Sequence, residues 1–309
     1  MRIGIIGRGE ILLQCAQTLH DLGHEIPLVI TAKEAPEYNV TRADFRLFAE
    51  KVGAKYAQTS KIDSQEIFDM LSASQPIDVA VSINYSGVIS EKVMSFFDMG
   101  ILNAHGGDLP RYRGNACQAW ALLNAEEKIG LCIHKMIGGE LDSGDILAKE
   151  FMTVNINTRI GEVYDWIERI TPDLMVSAVN SLKANPSVVC EVQSKDPKDA
   201  LRCYPRNPSD GKIDWNQDAE KVLRLINASS EPFAGAFAEY EGEKITIWRA
   251  KLETDDEQFV AINGQVLKIG QGFIDVSCNN SKLRITEIEY SGLRQSPDGI
   301  IQSIRKRLS

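Results

Sequence analysis

Short apolar runs alternate with stretches of helical spacing over residues 1–190, and this alternation restricts the fold more than any other feature of the sequence. The runs have strand length and β-branched content, and the stretches between them repeat apolar residues every three or four positions. This pattern predicts a Rossmann-like α/β domain, in which a mainly parallel sheet carries helices on both faces. The predicted strands cover residues 3–6, 26–30, 79–83, 101–103, 130–136 and 146–154.

Helices are predicted over residues 11–22, 42–52, 65–71 and 159–182. Thr41 and Asp63 are the predicted N-caps of the second and third helices, because their side-chain oxygens can accept from free N–H groups of the first turn. Pro172 predicts a kink in the last and longest helix, since proline removes a backbone donor.

The texture of the sequence changes near residue 206, where the turn-rich stretch NPSDGKIDW begins. Short alternating strands then follow, separated by Gly, Asn and Asp, which predicts a smaller, mostly β, barrel-like domain. The predicted domains are a catalytic α/β domain, residues 1–205, and a C-terminal β-rich domain, residues 206–309. Predicted elements of the second domain are a helix over 219–229 and strands over 244–252, 266–269, 273–278 and 282–290.

Composition disfavours several classes of protein. The 309 residues carry a net charge of −9, which disfavours nucleic acid as the main partner because phosphate binding depends on Lys and Arg. No apolar run approaches the roughly 20 residues of a membrane span, and the N-terminus lacks the features of a signal peptide. The six cysteines are far apart in sequence and predict free thiols. We therefore expect a cytoplasmic protein without a membrane partner, and its oligomeric state stays open, a homodimer included.

A glycine run at Gly4, Gly7 and Gly9 has part of the spacing of a dinucleotide-binding turn. The full pattern requires a third glycine where Leu12 stands, and an acidic residue at the end of the second strand, where none occurs. A tight strand-to-helix turn explains the glycines better. Such a turn could still bind phosphate with the help of Arg8.

The histidines outside the central motif are interpreted as structural. His20 and His24 lie at a predicted helix end, where a histidine can cap free carbonyl groups. His134 alternates with Cys132 and Met136 along a strand and is interpreted as a hydrogen-bonded, half-buried residue. Since no two histidines have ligand spacing with a carboxylate, no metal site is predicted.

Asn103 and His105 are two residues apart at the end of a predicted strand, so their side chains should project from one face. That edge of an open α/β sheet is where ligands bind. In an equally weighted alternative, Asn103 ends the strand and His105 satisfies a loop carbonyl. Asp142, on a glycine-rich loop, favours the functional interpretation. An amide donor, an imidazole base and a carboxylate together suit acyl transfer.

The stretches NAHGGDLPRYRG (residues 103–114) and LDSGDIL (residues 141–147) resemble the signature of the folate-dependent formyltransferases. The resemblance continues in DGKIDW and EPFAGAF and covers nearly the whole chain. That family includes methionyl-tRNA, glycinamide ribonucleotide and amino-sugar formyltransferases. The resemblance implies a formyltransferase that uses 10-formyltetrahydrofolate as its co-substrate.

The resemblance also implies roles for individual residues. Asn103 would hold the formyl oxygen, His105 would donate to that oxygen or relay the amine proton, and Asp142 would orient the imidazole. Whether His105 or Asp142 is the primary base stays open. The basic turn would face a phosphate of the acceptor. The implied folate-binding residues are Ser82, Ile83, Asn84, Tyr85, Val88, Ile137, Gly138, Gly139, Glu140, Leu141 and Asp142. The implied acceptor-binding residues are Arg8, Gly9, Arg111, Tyr112 and Arg113.

The acceptor predicted from the sequence is a nucleotide-linked amino sugar, formylated for a surface polysaccharide. Residues 206–309 carry 14 Lys and Arg against 16 Asp and Glu, and residues 31–41 contain one Lys and two Glu, which disfavours transfer RNA. The sequence after Gly114, NACQAW, also lacks the Ala-Pro stretch usual in the transfer-RNA enzymes. Methionyl-tRNA formyltransferase, formyltetrahydrofolate hydrolase and a non-catalytic folate-binding protein are the alternatives. The sequence does not name the sugar, the nucleotide or the amine position.

Overall fold

A computed structural model describes residues 1–34, 38–253, 257–279 and 281–309. The chain forms two compact units, each assembled from separate stretches of the sequence. The first unit comprises Met1–Gly114, Gly130–Met152 and Asp165–Cys203. The second unit comprises Asn115–Ile129, Thr153–Tyr164 and Tyr204–Ser309.

Fifteen strands and seven α-helices are found in the described residues. The helices are α1 (Glu10–Asp21), α2 (Arg42–Val52), α3 (Gln65–Ser72), α4 (Glu91–Met94), α5 (Cys117–Leu123), α6 (Ile160–Ala184) and α7 (Ala219–Ser229). The first nine strands are β1 (Ile3–Gly7), β2 (Leu28–Thr31), β3 (Lys55–Gln58), β4 (Val79–Ile83), β5 (Ile101–His105), β6 (Tyr112–Gly114), β7 (Lys128–Lys135), β8 (Ile146–Thr153) and β9 (Leu201–Cys203). The remaining strands are β10 (Ala236–Tyr240), β11 (Glu243–Leu252), β12 (Val266–Gly270), β13 (Phe273–Cys278), β14 (Ser281–Tyr290) and β15 (Leu293–Gln295).

The larger sheet has the strand order β3-β2-β1-β4-β5-β7-β8. Its pairs from β3 through β5 are parallel, and β5 pairs with β7 in the antiparallel direction, so the predicted mainly parallel sheet is confirmed. The chain proceeds from β1 to β2 and β3 on one side, then to β4 and β5 on the other. Between β1 and β4 the order therefore reverses, and open α/β sheets bind ligands outside the carboxyl ends of the strands at such a point.

The glycine run forms the predicted tight turn between β1 and α1. Gly9 is the N-cap of α1, with a positive φ of 89°. Gly7 has φ 137°, and a Cβ there would lie 1.9 Å from the carbonyl oxygen of Ile83 on β4. Close contact between two strand ends thus requires glycine at position 7.

Most predicted helices occur with small shifts at their ends. Thr41 is the N-cap of α2, and it forms a capping box with Asp44, as predicted for the cap. The prediction for Asp63 was wrong, because Ser64 caps α3 and accepts from Ile67, whereas Asp63 accepts from the Ser90 hydroxyl. Among the described residues, each helix is too short or too polar to cross a membrane.

The second unit contains a six-stranded antiparallel sheet of order β10-β11-β14-β13-β12, with β15 paired to β14. This agrees with the predicted β-rich C-terminal domain. Helix α7 buries an apolar face that includes Val222, Leu223 and Ile226 in the same core as Ile247 and Ile285. An amphipathic helix against one face of an antiparallel sheet gives the unit a core of its own.

Candidate active site

Asn103 and His134 face each other across neighbouring strands. Asn103 lies on β5, and in the antiparallel pair with β7 its direct partner is His134. Side chains opposite one another in such a pair are close enough to interact. The Asn103 side-chain amide nitrogen Nδ2 lies 3.1 Å from His134 Nε2. The strand pairing therefore brings a histidine to the amide that the sequence predicted as a site residue.

The neighbours of His134 determine which of its nitrogens carries the proton. Its Nδ1 lies 2.9 Å from the carbonyl oxygen of Lys135, which can only accept a hydrogen bond. Nδ1 therefore carries a proton, and in the neutral ring Nε2 would accept from the Asn103 amide. His134 is buried, and this bond orients the amide of Asn103 so that its second N–H points away from His134.

His105 is fixed in the same way at the end of β5. Its Nε2 donates to the carbonyl oxygen of Tyr112 at 2.6 Å. In the neutral ring Nδ1 then has the lone pair, and it lies 3.6 Å from Oδ2 of Asp142. A proton arriving at Nδ1 would be held between the imidazole and a carboxylate. This places an imidazole and a carboxylate side by side.

Asp142 is held by several contacts that orient its carboxylate. The backbone N–H of Gly114 donates to Oδ2 at 2.9 Å, and Oδ1 lies 3.6 Å from His134 Nε2. The residue has a positive φ of 46°, a conformation that Asp and Asn tolerate better than most residues. Gln193 donates to the backbone carbonyl of Asp142 at 2.9 Å. The carboxylate is thus positioned by the Gly114 N–H and by the side chains of His105 and His134, and Gln193 holds the backbone of Asp142.

The surroundings lower the pKa values of both His105 and Asp142. Burial lowers the pKa of His105 below its ordinary value and outweighs the nearby charge of Asp142, which raises it. Burial alone would raise the pKa of Asp142, but His134, His105 and the Gly114 N–H together lower it to about 2. At neutral pH the site therefore contains a neutral imidazole beside an ionised carboxylate.

The two segments predicted to hold folate are brought together. Residues 82–83 end β4 and are buried, and Tyr85 follows with its hydroxyl donating to the Thr59 carbonyl at 3.1 Å. A Cβ on Gly138 would lie 2.8 Å from the backbone nitrogen of Glu91, just beyond this segment. The side chain of Val88 is 76% exposed, and those of Ile137 and Leu141 on the loop are apolar and exposed as well.

Two of the three loop glycines are required by close contacts within the protein. A Cβ on Gly144 would lie 1.9 Å from the Lys135 carbonyl oxygen, and one on Gly138 would collide with Glu91. These two glycines let the protein contact itself closely. Gly139, with φ 75°, borders open space instead. Only Gly139 of the three leaves room for a ligand beside the backbone.

Arg8 and Gly9 lie where the strand order reverses. The Arg8 side chain donates from Nε to the Asn84 carbonyl at 3.0 Å and from Nη1 to the Lys33 carbonyl at 2.8 Å. Its guanidinium also lies 5.7 Å from the ring centre of Tyr38. Both of its hydrogen-bond acceptors are neutral, so the positive charge of Arg8 is not neutralised by a carboxylate among the described residues.

The basic turn after β5 divides its three residues between surface and interior. Arg111 is exposed, whereas the Tyr112 ring is buried. Arg113 donates from Nη2 to Gln193 Oε1 at 2.8 Å, and its buried Nε has no hydrogen-bond partner in the described part of the chain. Like Arg8, Arg113 contacts neutral acceptors. The hydrogen-bond acceptors of Arg8 and of Arg113 are different residues.

Sequence reasoning missed two residues of this site. His134 was interpreted as structural, although its strand alternation placed it on one face, and only the pairing of β5 with β7 brings it to Asn103. Gln193 is buried and links the carbonyls of Asp142 and Gly144 to the Arg113 guanidinium. It stands in an irregular polar stretch without periodicity, so no sequence signal could have identified it.

Comparison with protein families shows to which family the chain belongs. Residues 1–179 match the family model described as formyl transferase, and residues 206–298 match that of the formyl transferase C-terminal domain. The chain belongs to the formyl transferase family. The predicted formyltransferase activity is therefore confirmed, and so is the folate co-substrate, since the family uses 10-formyltetrahydrofolate.

Relatives of this formyltransferase by sequence and by structure carry different names. Methionyl-tRNA formyltransferase of Citrifermentans bemidjiense is 26% identical over 304 residues, which is 97% of this chain and 92% of that protein. The same enzyme of Akkermansia muciniphila is 27% identical, over 94% of this chain and 93% of that protein.

Solved structures with the same fold include sugar N-formyltransferases. WlaRD, a sugar 3N-formyltransferase, has a TM-score of 0.65 at 17% identity, covering 93% of this chain and 97% of that one. The Helicobacter canadensis N-formyltransferase, solved with folinic acid and dTDP-3-aminofucose, also has a TM-score of 0.65, at 15% identity, covering 93% of this chain and 99% of that one. HypX of Aquifex aeolicus has a TM-score of 0.61 at 17% identity. The match covers 98% of this chain but 49% of HypX.

Proposed function

We propose that this formyltransferase transfers the formyl group of 10-formyltetrahydrofolate to the amine of an amino-sugar nucleotide. One observation carries the choice of acceptor, namely which cations are already neutralised. Arg8 and Arg113 of the first unit bond to neutral acceptors and keep their charge. Of the sixteen Lys and Arg residues of the second unit, seven pair with carboxylates in the described residues.

Seven Lys and Arg side chains of the second unit lie within ion-pair distance of Asp or Glu in the described residues. Exposed pairs of this kind add little stability, but each removes a cation from binding phosphate. A transfer RNA needs many free cations, whereas a sugar nucleotide needs only one or two. Part of the segment 31–41, residues 35–37, lies outside the described residues. The paired cations are Arg159, Lys212, Arg249, Lys282, Arg284, Arg294 and Lys306.

The residues present fit a bound folate. Exposed apolar side chains of Val88, Ile137 and Leu141 and the open space at Gly139 suit a flat heteroaromatic ring, and residues 82–85 and 137–142 would hold it. When bound, 10-formyltetrahydrofolate supplies the formyl carbon that the acceptor amine attacks. Pockets that combine apolar contact with a few fixed polar groups are typical of such ligands.

The chemistry assigned to this chain's own residues follows from their protonation. Asn103 donates one amide N–H to His134, and its second N–H would donate to the formyl oxygen as negative charge develops there. His105, neutral and with its lone pair on Nδ1, would accept the proton that the amine releases. The Asp142 carboxylate would stabilise the resulting imidazolium. His105 would then give this proton to N10 of the folate as the bond between N10 and the formyl carbon breaks and tetrahydrofolate leaves. We therefore propose His105, rather than Asp142, as the base.

A direct test is incubation of the full chain with 10-formyltetrahydrofolate and a panel of amino-sugar nucleotides, read by mass for one added formyl group. The second candidate is methionyl-tRNA formyltransferase, favoured by the names of sequence relatives that cover over 90% of their own length. Charged methionyl-tRNA is therefore included in the panel. Formate release without any amine would instead indicate a hydrolase.

Activity on the true acceptor is expected to change only modestly between low and physiological salt. Each phosphate neutralised contributes a log–log slope of about −0.9 to binding, and one or two contacts give a shallow dependence. The measurement is kcat/KM for the acceptor as a function of salt concentration. Efficient formylation of methionyl-tRNA with a steep salt dependence would replace the sugar proposal by the second candidate.

Arg8→Gln is expected to raise KM for the sugar nucleotide about tenfold or more while kcat changes little. A hydrogen bond from a charged donor to a phosphate contributes to substrate binding, and its loss acts on the ground and transition states alike. Arg2→Gln is the matched control, because Arg2 pairs with Glu25 in the same unit. An unchanged KM in Arg8→Gln would remove Arg8 from the acceptor site.

The acid limb of kcat/KM is expected below pH 6.5, about the ordinary pKa of histidine. His105 must be neutral to accept a proton, and burial lowers its pKa, so activity is lost only as pH falls through that lowered value. Asp142→Asn removes a charge that raises this pKa, so its limb should move to still lower pH. Comparing the two profiles cancels any titration of the acceptor amine. A limb that does not move in Asp142→Asn would contradict His105 as the titrating base.

A further inference from the structure

A pocket of about 140 Å³ lies within the second unit. None of the residues that line it belongs to the candidate active site, whose predicted residues all lie in the first unit. The pocket is bounded by the turn at Arg206, by α5 at Ala119 and by the end of α7 at Ser229. Its remaining walls include Tyr164 and Phe233.

Arg206 supplies the only charge in the lining of this pocket. Its guanidinium donates from Nη1 to the Ala228 carbonyl at 3.3 Å and from Nη2 to Ser229 Oγ at 3.2 Å and the Asp210 carbonyl at 3.3 Å. Three of its five N–H groups are thus used. The other two have no acceptor, and the guanidinium no ion pair, within the described residues. The centre of the Trp120 ring lies 5.9 Å from the guanidinium carbon. A half-buried guanidinium that forms no ion pair in the described residues can bind an anionic ligand.

The other walls of the pocket are apolar and aromatic. Tyr164 and Phe233 meet edge to face with their ring centres 5.8 Å apart, and Phe233 is 43% exposed. Methyl groups of Ala119, Ala228 and Ala234 complete the lining. A cavity of roughly 150 Å³ with an apolar lining is large enough for a benzene ring. The space therefore suits a ring-sized apolar group beside the guanidinium.

We propose that this pocket binds a small aromatic monocarboxylate. The carboxylate would accept from a free N–H group of Arg206, and the ring would contact Phe233 and Tyr164. A multiply charged phosphate fits less well, because one half-buried cation would have to neutralise it against apolar walls. This inference does not depend on the identity of the formyl acceptor.

The probe is benzoate, titrated by calorimetry into the full chain with folinic acid saturating the active site. We expect one saturable site, and affinities at least tenfold weaker for benzyl alcohol, which lacks the charge, and for inorganic phosphate, which lacks the ring. Phosphate binding as tightly as benzoate would overturn the proposal. So would loss of benzoate binding when folinic acid is added, since the ligand would then occupy the folate site.

Two variants locate the site. Arg206→Gln should weaken benzoate binding about tenfold or more and leave the weak binding of benzyl alcohol within about twofold. Ala234→Leu should weaken both, because an exposed alanine of the lining is enlarged while the hydrogen bonds of Arg206 stay intact. Arg224→Gln is the matched control, since Arg224 donates to the Leu122 carbonyl in the same unit and does not line the pocket.

If Arg206→Gln fails to fold, Ala234→Leu decides the question. Benzoate binding that is unchanged in Ala234→Leu, or lost equally in Arg224→Gln, would contradict the proposed site.

Discussion

His105→Ala is expected to lower kcat for formyl transfer by about 10²–10⁴, the range for loss of a positioned acid–base group. The imidazole is the neutral base of the proposed mechanism, with Nδ1 beside Asp142 and Nε2 tied to the Tyr112 carbonyl. Among the described residues the other imidazole beside Asp142 is that of His134, and its Nε2 is occupied by the Asn103 amide. The measurement is single-turnover formylation of the acceptor at saturating folate.

Removal of the imidazole also leaves the buried Tyr112 carbonyl without its donor, at a cost of about 1–3 kcal/mol in the free energy of unfolding. Folate binding and thermal unfolding therefore accompany the kinetics, to show that the lost rate is not lost fold. His24→Ala is the matched control, because His24 is a buried histidine of the same unit outside the candidate site. Near wild-type turnover in His105→Ala would end its assignment as the base.

Asn103→Ala is expected to lower kcat by about 10²–10³ while the Michaelis constants of both substrates change little. A donor to the developing oxyanion acts mainly in the transition state, and loss of one such donor has this effect in other enzymes. The fixed orientation of the amide by His134 is what makes the donor effective without reorganisation. Steady-state kinetics with each substrate varied separately give both constants.

The exposed Asn185 at the end of α6 provides a control in the same unit, and Asn185→Ala should leave both constants unchanged. A raised Michaelis constant in Asn103→Ala with an unchanged kcat would make Asn103 a binding residue. His134→Gln tests the orienting contact. A glutamine can offer an acceptor to the amide without the fixed ring, so a smaller loss of kcat than in Asn103→Ala is expected.

The sequence by itself determined the fold class and the three central candidate residues. Both depend on local pattern: alternation of strand and helix periodicity predicts a parallel sheet, and residues two apart on a strand share a face. Helix α2 with its Thr41 cap was predicted at the observed ends, because capping is decided within four residues. Asn103 and His105 were predicted as site residues from their spacing of two on one strand, and Asp142 was predicted from its glycine-rich loop.

Only the tertiary structure decided which groups surround those residues. His134 reaches Asn103 through strand pairing across 31 residues, and Gln193 reaches the Asp142 loop across 51, distances over which sequence periodicity carries no information. Protonation was decided there as well, since the carbonyls of Lys135 and Tyr112 choose the tautomers, burial lowers the pKa of His105, and hydrogen bonds and nearby charges lower the pKa of Asp142. The charge balance of the second domain was countable from the sequence. Which of its cations remain free for phosphate depends on ion pairs that form only when distant strands come together.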